Sequence, residues 1–122
     1  METPRSLPEL RKSLLEQPGF SREELLREVI AQVKKDFAPG AEIRLTSEDL
    51  EGLLAGVISA LDTYASGFDL HSIMRILYRV DVKEKPVKEA LMNSNRNEAL
   101  EQIAVMIIFR CLQKVLTRKY YK

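Results

Sequence analysis

The chain has a single cysteine, Cys111, and a single histidine, His71, among 122 residues. One cysteine excludes an intrachain disulfide, so nothing in the sequence indicates an oxidising compartment, and we expect a cytoplasmic protein. A structural zinc site takes about four Cys or His ligands, more than the chain contains. Cys111 lies in the most apolar stretch of the chain, which is typical of an inert packing thiol. We therefore predict no metal and no cofactor.

Glycine-rich motifs and long apolar runs are also lacking. The five glycines form neither a phosphate-binding loop nor a dinucleotide-binding fingerprint. The longest apolar run, Ile103 to Phe109, is far shorter than the ~20 residues that cross a bilayer. Met1 to Gln17 holds no apolar segment of signal-peptide length. These absences predict a protein without a membrane partner.

The residues that are present have the composition of one soluble domain. Hydrophobic residues make up 45% of the chain and charged residues 30%, which is ordinary for a globular protein. A length of 122 residues also fits one domain. We expect a single helical domain over residues 6–119, with flexible ends at 1–5 and 120–122.

Proline, glycine and capping residues divide the chain into six predicted helices. Ser6, Ser21 and Asn95 each precede a glutamate by three residues, the pattern of a capping box. Ser47, Asp69 and Pro86 are predicted to open the other three helices. Apolar residues recur at helical spacing, and only residues 80–82 offer a weak strand candidate, which we interpret as loop. The sequence therefore predicts an all-α fold, a compact bundle of about six helices with two central, largely buried helices.

The third predicted helix carries a row of small residues. It has no charge between Gly52 and Leu61, and its large apolar side chains gather on the side opposite Gly52, Gly56 and Ala60. Two glycines inside a helix cost about 1 kcal/mol each relative to alanine, so we expect a packing reason for them. The row predicts the close approach of another backbone. That backbone belongs either to the same domain or to a second copy, in which case the row is an association face.

The last predicted helix is apolar all round between Ile103 and Phe109, which is typical of a buried helix. A small domain readily encloses one such helix. Together, the third and the last predicted helices would leave a surplus of apolar surface. We interpret this surplus as the sign of a homodimer, whose interface would resemble a core cut in half. The favoured function is therefore protein–protein association, with a second copy, an unidentified protein partner, or both.

The net charge of +1 hides two opposite halves. Residues 1–61 hold eight Lys/Arg and eleven Asp/Glu, whereas residues 62–122 hold eleven and seven. Basic residues at helix C-termini commonly interact with the helix dipole. Because tyrosines follow them here, they could also contact phosphate and stack on bases, so a small nucleic-acid-binding regulator is the alternative function. Its contact residues would be Arg110, Lys114, Arg118 and Lys119.

An enzyme without a recognisable motif is the third possibility. Acid–base catalysis needs titratable groups in a cleft, but most carboxylates of this chain lie at predicted helix starts or on polar faces, where capping and solvation explain them. Tyr64 and Tyr78 are interpreted as core tyrosines rather than pocket residues. The sequence therefore predicts no catalytic, cofactor-binding or metal-binding residue.

Overall fold

Six α-helices form the fold in the computed structural model, which describes residues 4–37, 42–66 and 70–120. The described residues contain no strand, and in the weak strand candidate Val80 ends a helix while residues 81–82 form a turn and loop, so the predicted all-α fold is confirmed for them. The predicted cap Asp69 and the predicted stop at Pro39 and Gly40 lie outside the described residues. The helices are α1 (Leu7–Leu15), α2 (Arg22–Phe37), α3 (Leu50–Ser66), α4 (Leu70–Val80), α5 (Glu84–Asn93) and α6 (Arg96–Tyr120).

The core is built around α6, which contacts each of the other five helices or their flanking segments. Twelve of its 25 residues are buried, among them every residue of the apolar run Ile103 to Phe109 except Met106. The second central helix is α3, whose Leu53, Val57 and Leu61 are fully buried. Both predicted central helices are thus confirmed. A single chain encloses both helices, so the surplus of apolar surface that was predicted on them is wrong.

The three predicted capping residues all cap their helices. The Ser6 hydroxyl accepts from the Glu9 N–H at 3.4 Å, and Ser21 and Asn95 do the same for α2 and α6 at 3.1 and 2.9 Å. Each bond satisfies a donor that the first helical turn leaves unpaired. In a capping box the glutamate side chain also accepts from the N–H of the capping residue. In α1 the Glu9 carboxylate instead accepts from the N–H of Arg5, the residue before the cap.

Two helix starts differ from the sequence-based prediction. Asp49, rather than Ser47, caps α3: its carboxylate accepts from the Gly52 N–H at 2.7 Å and from the Ser47 hydroxyl at 2.6 Å. A carboxylate that accepts two donors fixes the helix start two residues later than predicted. α5 begins at Glu84, so Pro86 lies within its first turn, where a missing N–H leaves no bond unmade.

The turn between α4 and α5 is closed by a left-handed residue. Asp81 has φ 71°, its N–H donates to the Tyr78 carbonyl at 3.2 Å, and the Val82 N–H donates to the Leu77 carbonyl at 3.0 Å. This pair of bonds is the Schellman motif, in which glycine usually holds the left-handed position. The motif brings Val82 beside Leu77, and both side chains line the surface groove described below.

Residues at both described ends of the chain contact the rest of it. Pro4 is buried, and the flexible ends at 1–5 and 120–122 stay a prediction. Tyr120 is the last helical residue and meets Phe20 edge to face, with 5.6 Å between ring centroids. The remaining end residues, 1–3 and 121–122, lie outside the described part of the chain.

Candidate functional site

The small-residue row of α3 packs against its own chain. A Cβ added to Gly56 would lie 2.8 Å from the Arg44 carbonyl oxygen and 3.2 Å from the Ile43 side chain. At Gly52 an added Cβ would collide with the backbone of Ser47. Ala60 is half-buried and packs against the core. The predicted close approach is therefore made within the chain, by the segment that leads into α3.

The four basic residues proposed as nucleic-acid contacts all have intramolecular partners. The partners lie on α2 and on the turn after α4, so the end of α6 is tied to the rest of the bundle. The shortest of the charge pairs are 2.5 Å for Lys119 with Glu28 and 2.8 Å for Lys114 with Asp36. The partners are Asp81 for Arg110, Asp36 for Lys114, Gln32 for Arg118, and both Glu24 and Glu28 for Lys119.

A buried polar cluster lies between α2 and α6. Asp36 is buried, and its carboxylate accepts from the Gln32 amide at 3.0 Å and from the Lys114 ammonium at 2.8 Å. The Arg79 side chain donates to the Asp36 carbonyl at 3.4 Å, so α4 joins the cluster. A buried carboxylate needs such partners, because an unpaired charge in the interior is costly. The Asp36 carboxylate thus has its bonding partners within the chain, and we assign the cluster a structural role.

Cys111 borders this cluster, and its thiol is buried beside the Asp36 carboxylate. Its thiol is fully buried, with the sulfur 3.6 Å from the Asp36 carboxylate. Burial, and next the negative charge of Asp36, raise the pKa of the Cys111 thiol well above its ordinary value. The thiolate is the reactive form of cysteine. The arrangement therefore suppresses nucleophilic chemistry at Cys111, in keeping with a packing thiol.

A wide apolar groove of about 1270 Å³ opens between α4, α5 and α6. Its floor consists of buried side chains from these helices and from the middle of α3. Two segments connect the walls: the Schellman turn leads from α4 into α5, and the Asn95 cap begins α6. The main apolar floor residues are Leu61, Leu77, Val87, Leu100 and Ile103.

Large apolar side chains stand exposed on and beside the walls of this groove. Tyr78 and Met74 of α4 are 88% and 42% exposed, and Leu91 of α5 is 57% exposed. All three line the groove, and the adjacent Met92 is 83% exposed. The interpretation of Tyr78 as a core tyrosine was wrong, because α4 turns Ile76, Leu77 and Val80 inward instead. Tyr64, by contrast, is half-buried and packs against the core.

The groove is also charged along its rim. Arg75, Arg79, Lys88 and Arg96 line it, against the one carboxylate of Glu84. Several of these cations are engaged within the chain: Arg96 lies 2.6 Å from Asp62, Lys88 lies 3.8 Å from Glu84, and Arg79 donates to the Asp36 carbonyl. The groove thus combines an apolar floor with a predominantly basic rim.

Sequence reasoning missed this groove, although α4 and α5 carried a signal. In α4 the apolar residues Ile73, Met74, Ile76, Leu77, Tyr78 and Val80 extend around more of the helix than one buried stripe requires. The Leu91–Met92 pair widens the apolar face of α5 in the same way. Apolar residues beyond the width of one buried stripe predict exposed apolar surface, and in the structure that surface lines the groove.

No group of His, Cys, Asp or Glu in the described ranges is arranged to hold a metal ion. Within those ranges, no helix combines the length and the apolarity needed to span a bilayer. The chain matches no protein-family model, and comparisons with curated proteins and solved structures give no significant match.

Proposed function

We propose that the protein is an association module that binds another protein in the groove between α4, α5 and α6. The observation that carries the proposal is the exposure of Met74, Tyr78 and Leu91 around one apolar groove. Soluble monomers rarely expose contiguous apolar patches without a binding role. Tyrosine, methionine and arginine are also the residue types enriched at protein interfaces. A reducing, cytoplasmic location belongs to the same proposal and rests on the single cysteine.

The size of the groove favours a peptide segment over a small molecule. Pockets for small ligands measure about 300–1,000 Å³ and enclose most of the ligand, whereas this groove is open and measures about 1270 Å³. A helix laid into an apolar groove is also a recurring mode of protein recognition.

The other candidate functions have less support. Gly52 and Gly56 are covered by the chain itself, so a homodimer would need a surface other than those two positions. The four basic residues of α6 are engaged in intramolecular bonds, and nucleic acid would have to compete for them. An enzymatic role is supported by no observation. The groove is the surface on which the proposal depends.

Photo-crosslinking tests the proposal with a matched control in the same chain. Leu91 lies in the groove and is 57% exposed, whereas Leu15 does not line it and is 52% exposed. A photoreactive amino acid at position 91, in the cells that produce the protein, should give discrete protein adducts. The same residue at position 15 should give few. Equal adduct patterns from both positions, or no adduct from position 91, would overturn the proposal.

A further inference from the structure

We infer that the partner of the groove is an amphipathic helix with acidic residues along the edge that faces α4. This inference rests on the proposed function and adds the chemistry of the partner to it. The apolar floor selects a partner with an apolar stripe. The rim selects its charge, since surfaces of opposite charge are favoured across an interface.

The basic residues of α4 form a row with helical spacing. His71, Arg75 and Arg79 follow one another at intervals of four residues, and all three line the groove. Residues four apart on a helix lie on one face, about 6 Å apart along the axis. Carboxylates at the same interval on a partner helix would therefore meet these side chains in register.

An apolar row runs beside the basic row. Met74 and Tyr78 precede Arg75 and Arg79 by one residue each, so α4 presents an apolar strip next to a basic strip. An amphipathic helix with acids at the border of its apolar face matches both strips. Tyrosine and arginine side by side are also typical of the residues that contribute most to binding energy.

The free charge of the rim lies at Arg75. Glu84 and Asp62 offset Lys88 and Arg96, and Arg79 is engaged with the Asp36 carbonyl. Arg75 forms no ion pair with any described residue. Arg75 lies in the middle of the basic row, so a carboxylate of the partner would gain the most binding free energy at this position.

The same charges disfavour a second copy as the occupant. A symmetric dimer brings the same patch of each copy together. If two grooves faced each other, Arg75 and the basic residues beside it would therefore face the same residues of the second copy. Like charges across an interface suppress such pairings. A different, acidic partner avoids this repulsion.

The test is a selection from a displayed library of helical peptides about 16 residues long, roughly four turns. Leucine, isoleucine or methionine is fixed at helical spacing, and the remaining positions encode acidic, basic and neutral residues equally. The baits are the wild-type protein, Leu91→Glu to block the groove, Leu15→Glu as its matched control, and Arg75→Glu to reverse the charge of the rim.

We expect wild-type and Leu15→Glu to enrich peptides with carboxylates on one border of the apolar face, and Arg75→Glu to shift that preference toward lysine. A selected peptide should bind wild-type at least about tenfold more tightly than its lysine-substituted copy at low salt, with a smaller difference at high salt. Enriched peptides with no charge preference, or a wild-type dimer that Leu91→Glu dissociates, would overturn the inference and keep the groove as an association site. No enrichment relative to Leu91→Glu would overturn the proposed function as well.

Discussion

The carboxylate of Asp36 lies 2.8 Å from the ammonium group of Lys114, in the interface between α2 and α6. The side chains are only 10% and 22% exposed, so the pair is largely shielded from water. The same interface holds the contacts of Gln32 with Arg118 and of Glu28 with Lys119. A shift of α2 along α6 would leave a buried charge without its partner, at high cost. The pair therefore favours one register of the two helices that carry much of the core.

Asp36→Ala should lower the free energy of unfolding by about 3 kcal/mol, because it leaves Lys114 without its counter-charge. The control is Lys12→Ala, which breaks the exposed pair with Glu16 and should cost less than about 1 kcal/mol. Chemical denaturation of both variants measures the difference. If Asp36→Ala costs no more than Lys12→Ala, the pair has no structural role.

Gly56→Ala should destabilise the protein by about 1 kcal/mol, although alanine is the better helix former. The added methyl group would lie 2.8 Å from the Arg44 carbonyl oxygen, which is backbone and moves little. Ser59→Ala, at an exposed position of the same helix, has only the propensity gain and should be neutral or stabilising. Thermal unfolding of the two variants compares them. A stabilised Gly56→Ala would show that residues 43–47 do not pack closely on α3.

Substitutions at Asp81 should depend on how well each residue tolerates a positive φ. Asp81→Val forces a β-branched residue into φ 71° and should cost about 1–2 kcal/mol. Asp81→Gly relieves the backbone but loses the exposed ion pair with Arg110, so its stability should change by less than about 0.5 kcal/mol. Equal stabilities of the two variants would contradict the left-handed turn.

Asp49→Asn should make the free energy of unfolding depend less on pH in the acidic range. The Ser47 hydroxyl and then the Gly52 N–H lower the pKa of the Asp49 carboxyl. Such a group stabilises the fold above its unfolded pKa, about 3.9, and this contribution is lost as pH falls through the lower folded value. Asparagine keeps the cap without titrating. Urea unfolding should therefore find the variant less stable near about pH 6 and converging with wild type below about pH 4; parallel curves would contradict the assigned cap.

The sequence predicted the structural features that depend on residues close to one another in the chain. The helix caps are one example, because the side chains of Ser6, Ser21 and Asn95 accept from N–H groups three residues later. This spacing can be recognised in the sequence. Asp36 and Lys114 are 78 residues apart, and no local pattern pairs them. The exposure of Tyr78 depends on how α4 is rotated against α2, α3 and α6. The predicted apolar surplus was placed on α3 and α6, which the chain buries, whereas the exposed apolar surface lies on α4 and α5.

The most direct test of the groove as the association surface is a binding titration of one selected helical peptide with Leu91→Glu and Leu15→Glu. The two leucines are similarly exposed, at 57% and 52%, so both variants should fold alike, which circular dichroism checks. We expect Leu91→Glu to weaken binding at least about tenfold, or about 1.4 kcal/mol, and Leu15→Glu to leave it unchanged. Equal affinities of the two folded variants would contradict the groove as the site of association.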